Sequence, residues 1–191
     1  GGTVTELVKY PHLERIVLCE IDQEVTRISL QYFPEVSRGL LDKRVTCTYE
    51  DGAEYVSNCQ DLEFDITLVD STDPVGPGSV LFSEQFYQDV SRSSSVGVFQ
   101  TESPMFMPEV MSASLAKIQK AFGQSQLYLA TIPSYPGSLW SFTIGHRATI
   151  KLTHPKSDVL SDLKYYNNEI HLAAFALPNF VRDLIRNGGK L

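Results

Sequence analysis

A chain of 191 residues, 42% hydrophobic and 20% charged, is long enough for one globular domain with a substantial core. A formal net charge of -7 without any cluster of Lys or Arg argues against nucleic acid and anionic membrane as partners and is compatible with a cationic small molecule. Cys19, Cys47 and Cys59 are odd in number and far apart, which reads as buried thiols of a reducing compartment, not a disulfide framework.

No apolar stretch is long enough to span a bilayer and no signal peptide opens the sequence, so the expectation is a soluble cytoplasmic protein. Gly1-Gly2 leads directly into Val4, Leu7 and Val8, apolar residues at helical spacing. A glycine pair before a helix is the tail of a phosphate- or nucleotide-type loop. The strand that should feed such a loop is absent, so the sequence reads as truncated at its N-terminus.

Strand and helix signals then alternate, which predicts a βαβ architecture with a mostly parallel sheet. Residues 15–21 read as a buried strand. Asp22 is a good N-cap, and Val25, Ile28 and Tyr32 follow at i, i+3 and i+7 in a helix that stops by Pro34. Residues 45–49 form a second strand, 53–58 a short helix and 64–69 a third strand. A helix is predicted over 82–90 and a fourth strand over 96–100. Pro108 opens a helix with Val110, Met111, Leu115, Ile118 and Phe122 on one face.

Two runs of alternating character follow. Leu127, Leu129 and Thr131 alternate with Gln126, Tyr128 and Ala130, and Trp140, Phe142 and Ile144 with Ser141, Thr143 and Gly145. They predict an antiparallel pair at one sheet edge. Residues 151–162 read as solvated surface, and a last helix carries Phe180, Val181, Leu184 and Ile185. Parallel strands with a terminal antiparallel pair describe a Rossmann-like, methyltransferase-type α/β sheet. No linker interrupts residues 1–191, so one domain is expected.

Three acids close three consecutive predicted strands: Glu20, Asp51 and Asp70. Ligands of open α/β sheets bind at the carboxyl ends of strands. A carboxylate at Glu20 can accept hydrogen bonds from both hydroxyls of a ribose. Asp51 can accept from an adenine amine while Gly52 lets backbone approach the ring. Taken singly, Glu20 reads as well as a solvated strand-end acid, and Asp51-Gly52 as an ordinary turn. Their joint placement downstream of a glycine pair favours a nucleoside site.

The third acid opens Asp70-Ser71-Thr72-Asp73-Pro74-Val75-Gly76-Pro77. Two carboxylates three residues apart, on a loop stiffened by two prolines, make an anionic clamp for a cationic substrate. One of them can also take a proton from it. An Asx turn or helix cap is the plain alternative. His12, His146, His154 and His171 show no metal-ligand spacing with one another or with the cysteines. Met105, Phe106 and Met107 read equally as a pocket cover or an apolar loop packed on the core, and Trp140 as an amine-site wall or a core anchor.

The 70–77 loop with Leu81-Phe82 resembles the signature loop of the spermidine synthases, the putrescine aminopropyltransferases. The resemblance extends to Cys19-Glu20-Ile21-Asp22, Glu50-Asp51-Gly52, Gln100-Thr101-Glu102-Ser103-Pro104, Thr131-Ile132-Pro133-Ser134-Tyr135-Pro136-Gly137, and Tyr165-Tyr166-Asn167 with His171, Ala173, Ala174, Phe175 and Leu177-Pro178. These blocks run in family order over essentially the whole chain.

The resemblance implies aminopropyl transfer from decarboxylated S-adenosylmethionine, a co-substrate, to putrescine, giving spermidine and 5'-methylthioadenosine without metal or other cofactor. It implies Asp70 as proton acceptor, Asp70 and Asp73 as amine ligands, and Gln100 and Tyr135 as lining of the diamine channel. It implies Glu20 at the ribose, Asp51 and Gly52 at the adenine, and Pro77 as backbone beside the nucleoside. A homo-oligomer, dimer or tetramer, is expected of the complete protein.

The family's loop runs strand-Gly-Gly-Gly-Asp-Gly-Gly, and only the last two glycines stand here. Its donor-binding Asp, its small N-terminal β-rich domain and the first central strand of the sheet are missing from this sequence, so the 191 residues alone are expected to be inactive and poorly stable. Residues 91–96 also depart from the family, which has a longer helix end and a Gly turn there. The alternatives are an aminopropyltransferase for agmatine, spermidine or another amine, a methyltransferase, or a degenerate nucleoside-binding module.

Overall fold

The computed structural model describes residues 1–135, 137–148 and 163–190. The predicted surface segment 151–162 and Pro136 lie outside them. Two compact units emerge, one made of residues 1–58 and the other of the described residues from 59 onward.

In the first unit, helix α1 (Gly2–Leu7) precedes strand β1 (Ile16–Glu20), helix α2 (Gln23–Tyr32), the short helix α3 (Pro34–Ser37), a 3₁₀ turn (Arg38–Leu41), strand β2 (Val45–Tyr49) and helix α4 (Gly52–Asn58). β1 and β2 run parallel, Ile16 opposite Val45 and Glu20 opposite Tyr49. Val4, Ile16 and Leu40 form the core, with Leu7, Leu18, Leu30 and Val45 against them. Asp22 caps α2 as its sequence predicts, its carboxylate accepting the Glu24 N–H at 2.8 Å.

The face that α2 buries is not the expected one. Thr26 is buried and Leu30 packs on the core, whereas Val25, Ile28 and Tyr32 are exposed. Periodicity finds an apolar stripe, but which stripe is covered depends on which elements are there to cover it. The cysteines need a similar correction: Cys59 is buried, but Cys19 and Cys47 are only half-buried.

The second unit contains β3 (Phe64–Val69), a 3₁₀ segment (Gly76–Phe82), α5 (Glu84–Ser93), β4 (Ser94–Gln100), α6 (Pro108–Phe122), β5 (Gln124–Thr131), β6 (Leu139–His146), α7 (Asn168–Ala174) and α8 (Asn179–Arg186). Gly76 and Pro77, read as loop, thus start the 3₁₀ segment, and the helix predicted over 82–90 begins and ends later. The sheet order is β3-β4-β6-β5. β3 and β4 are parallel, while β6 runs antiparallel to both β4 and β5. The terminal antiparallel pair is therefore as predicted, at one edge of its sheet.

Helices cover this sheet with two clusters. Met111, Leu127, Val181 and Leu184 form one. In the other, Tyr87, Phe99 and Phe122 meet edge to face with centroids 5.1 and 6.0 Å apart. Gly97 and Gly145, cross-strand partners, make room for it. A Cβ on Gly145 would stand 2.6 Å from the Phe122 ring, and one on Gly97 would stand 2.6 Å from that of Phe99. On β6 the polar residues Ser141 and Thr143 are fully buried, and Trp140 is buried as well. Among the described residues no helix is long and apolar enough to cross a membrane.

Candidate functional site

In the first unit, two of the three acids sit at the carboxyl ends of paired strands. Glu20 ends β1 opposite Tyr49, and Asp51 stands two residues beyond Tyr49. The Glu50 N–H donates to the Glu20 carbonyl at 3.2 Å, so the parallel ladder extends one step past β2. Glu20 Oε1 accepts the Asp22 N–H at 3.1 Å. Asp51 Oδ1 accepts the N–H groups of Ala53 at 2.7 Å and Glu54 at 3.3 Å, which caps α4. The local roles are thus real, and each uses a single oxygen. Oε2 of Glu20 and Oδ2 of Asp51 lie outside these bonds, and a carboxylate accepts through both oxygens. Gly52, the first residue of α4, carries no side chain between Asp51 and the helix.

The second unit holds the remaining site residues. Val69 is in register with Phe99, so the residues that follow, Asp70 and Gln100, are neighbours at the ends of parallel strands. Asp70 and Asp73 are both exposed, and neither carboxylate makes a hydrogen bond or ion pair with the other described residues. Helix α5 is capped instead by Ser83, whose Oγ accepts the Phe86 N–H at 3.1 Å. The plain alternative of a capping role is therefore not realised for the two aspartates.

The loop folds back on itself at Gly78. A Cβ there would lie 2.5 Å from Thr72 Oγ1 and 2.8 Å from the Asp73 carbonyl oxygen, a closeness that glycine allows. Pro77 is exposed just before that contact.

Behind the clamp lies a residue that sequence reasoning left without a role. Glu102 is completely buried, has a left-handed φ of 74°, and keeps its Oε2 without a partner among the described residues. Its Oε1 accepts the Gln100 amide at 2.9 Å. Burial pushes its carboxyl above the ordinary range, the Gln100 bond opposes that, and the negative charge of Asp73 adds to it. The same Gln100 NH₂ reaches Ser71 at 3.3 Å to the carbonyl and 3.4 Å to Oγ, which ties β4 to the clamp loop. The block from Gln100 to Pro104 carries no local sign of this burial, because Ser141, far away in sequence, supplies the cover. Its N–H donates to the Glu102 carbonyl at 3.0 Å and its hydroxyl at 2.7 Å.

Tyr135 lies in the β5–β6 connection, 47% exposed, and stacks on Trp140 with centroids 4.3 Å apart. Trp140 donates its indole N–H to Gln100 Oε1 at 3.0 Å. Both open readings of Trp140 thus acquire content: it is buried, and it touches two of the residues expected at the amine site. Met105 and Phe106 are exposed, with the Phe106 ring against Gly137, so this apolar loop lies over the β5–β6 connection.

The spermine/spermidine synthase domain matches residues 1–154 of the chain. The chain belongs to the spermine/spermidine synthase family. A polyamine aminopropyltransferase of Thermoanaerobacter sp. (strain X514) is 42% identical over an alignment that covers 96% of this chain and 68% of that relative. The corresponding protein of Moorella thermoacetica is 40% identical, with 97% and 66% covered.

Among solved structures, a spermidine synthase in complex with the transition-state analogue AdoDATO superposes with a TM-score of 0.92 at 35% identity, over 98% of this chain and 66% of its own. The spermidine synthase of Thermotoga maritima gives 0.89 at 34%, over 98% and 65%. The α/β architecture is therefore that of a spermidine synthase, Rossmann-like and methyltransferase-type, and the chain spans about two thirds of the length of these relatives. The family resemblance read from the sequence blocks is borne out, and the aminopropyltransferase class with it.

Proposed function

We propose that the protein transfers the aminopropyl group of decarboxylated S-adenosylmethionine to putrescine, giving spermidine and 5'-methylthioadenosine. The observation that carries the reading is the pair Asp70 and Asp73. Both stand on the loop that leaves the carboxyl end of the parallel strand β3, exposed, with neither carboxylate engaged within the described chain. Two uncompensated carboxylates backed by the buried Glu102 suit a dication. The carboxylate of ordinary S-adenosylmethionine would be repelled by them.

A free amine of this kind has a pKa of about 10.4 and is almost wholly protonated at neutral pH. Asp70 takes the proton from one nitrogen, and Asp73 holds the amine in place. The freed lone pair attacks the methylene next to the sulfonium. The new C–N bond forms as the C–S bond breaks, and its electron pair returns to sulfur as the neutral thioether. Glu20 takes the ribose hydroxyls, Asp51 with Gly52 the adenine, and Pro77 lends backbone beside the nucleoside. Gln100 and Tyr135 line the amine channel. Positioning and carboxylate electrostatics supply the catalysis, with no metal or further cofactor. The complete enzyme acts as a cytoplasmic homo-oligomer.

The test is kcat/KM of the complete protein for putrescine, cadaverine, agmatine and spermidine with the decarboxylated donor. Putrescine should lead, and Asp70→Asn should lower kcat by about 10²–10⁴. A preference for another amine would reassign the acceptor. An unchanged rate across pH in the Asn variant would remove Asp70 from proton transfer.

A further inference from the structure

We propose that Trp140 is a positioning residue of the amine pocket, whose indole N–H locks the Gln100 amide so that its NH₂ ties Glu102 to the clamp loop. The proposal rests on the amine-acceptor reading above.

A carboxamide has one accepting end and one donating end of nearly equal shape, and its neighbours decide which way it points. Two groups that can only donate converge on one end of Gln100, the Trp140 indole at 3.0 Å and the Glu102 main-chain N–H at 3.0 Å. That end must be the oxygen. The other end then faces the Ser71 carbonyl at 3.3 Å and Glu102 Oε1 at 2.9 Å. Reversing the amide would set donors against donors and oxygens against oxygens at all four of these contacts, and the Ser71 hydroxyl alone could adapt.

Tryptophan is suited to this post. Its nitrogen donates and never accepts, so no change of tautomer or rotor allows the reversed amide. Its ring is held at the same time by the Tyr135 stack, 4.3 Å between centroids with 23° between planes. A residue serving only as a core anchor would need neither contact. Trp140 thereby couples the exposed aromatic wall at Tyr135 to the buried carboxyl at Glu102.

The consequence reaches substrate through Glu102. Oε2, the oxygen without a partner, is the group there able to accept from an ammonium, and it does so best when ionised. Asp73, on the clamp loop, opposes that ionisation, and the Gln100 donor favours it. From β6 the neutral Trp140 and Ser141 reach this corner, and no cation bonds the carboxylate among the described residues. Releasing the Gln100 amide removes the favourable bond, so Glu102 ionises at higher pH and amine binding follows.

The experiment compares the complete wild-type protein with Trp140→Phe, Gln100→Met and the double variant, using putrescine. Trp140→Phe keeps a ring for Tyr135 and loses the donor. KM for putrescine should rise about tenfold, with kcat within about threefold and KM for the aminopropyl donor unchanged. The acid limb of kcat/KM should move to higher pH. In the Gln100→Met background the same change should add less than about twofold, because the two residues act as one.

Labelling the tryptophans of the complete protein with nitrogen-15 gives a readout that does not require the Phe variant to fold. Gln100→Met should shift the Trp140 indole N–H resonance upfield, as loss of its acceptor requires. An unmoved resonance, an unchanged KM and acid limb in a folded Trp140→Phe, or effects that multiply in the double variant would each overturn the proposal. No putrescine turnover by the wild type would overturn the functional reading and this proposal together. Turnover with a neutral Trp140→Phe would overturn this proposal alone.

Discussion

Glu102 places a titratable carboxyl in a fully buried position. Its carboxyl is pushed up chiefly by burial, with Asp73 adding to the effect and Gln100 resisting it. A carboxyl whose folded pKa lies above its unfolded one contributes stability that is fully present below the unfolded value and is lost as pH rises through the folded value. Glu102→Gln removes that ionisation. The thermal midpoint of the variant should therefore exceed that of the wild type by a few degrees near pH 8 and converge with it near pH 4. Its kcat/KM for putrescine should fall by roughly 10–100-fold, the range for a hydrogen bond to a charged group. A variant equally active, or one whose midpoint gain is the same at both pH values, would show that Oε2 meets no ammonium and carries no charge.

At the level of elements, the connection between α1 and β1 hangs on Arg44, the residue just before β2. Its guanidinium donates to the carbonyls of Val8 at 2.6 Å, Tyr10 at 2.9 Å and Leu13 at 3.1 Å, and to both oxygens of Asp42 at 2.9 Å. The Arg44 bonds hold the Asp42 carboxyl down at about 2. Its contribution is therefore present above the ordinary carboxylate range and lost as pH falls through about 2. Arg44→Lys keeps the charge but cannot span five acceptors with three donors. Its thermal midpoint should drop by several degrees at pH 7. The gap should narrow on acidification toward pH 2, and a constant gap would place the loss in packing instead.

Element identity was legible in the sequence wherever a β-branched run ended in a turn signal. Residues 45–49 and 64–69 match β2 and β3 residue for residue, and Asp22 and Pro34 bracket α2 as read. What a helix buries was less legible, because the residues across from it come from elsewhere in the chain. Val25, Ile28 and Tyr32 make the stripe, yet Thr26 and Leu30 meet the core. Helix α7 has no buried residue at all, so it offered no stripe to find. The candidate site divided in the same way. Glu20, Asp51 and Asp70 announced themselves as acids closing strands, while Glu102 and the Gln100–Trp140 bond depend on the β4–β6 register, which no local pattern encodes.

For the molecule as a whole, the open question is its sheet edges. β1 pairs only with β2, and β3 only with β4, so among the described strands each keeps one edge without a ladder partner. Parallel strands are ordinarily covered on both faces, yet Ile66 is 55% and Leu68 40% exposed on β3. An unpaired strand with exposed apolar side chains is a template for pairing with another chain. The prediction is that these 191 residues, produced alone, self-associate in a concentration-dependent way, unfold without a sharp transition, and transfer no aminopropyl group. Replacing Ile66 and Leu68 with Lys should suppress the association, because charge on an edge strand blocks intermolecular pairing. Sedimentation across a hundredfold range of concentration, alongside calorimetry and the transfer assay, decides it. A monodisperse, cooperatively unfolding and active 191-residue monomer would mean that the edges are already satisfied by the chain itself.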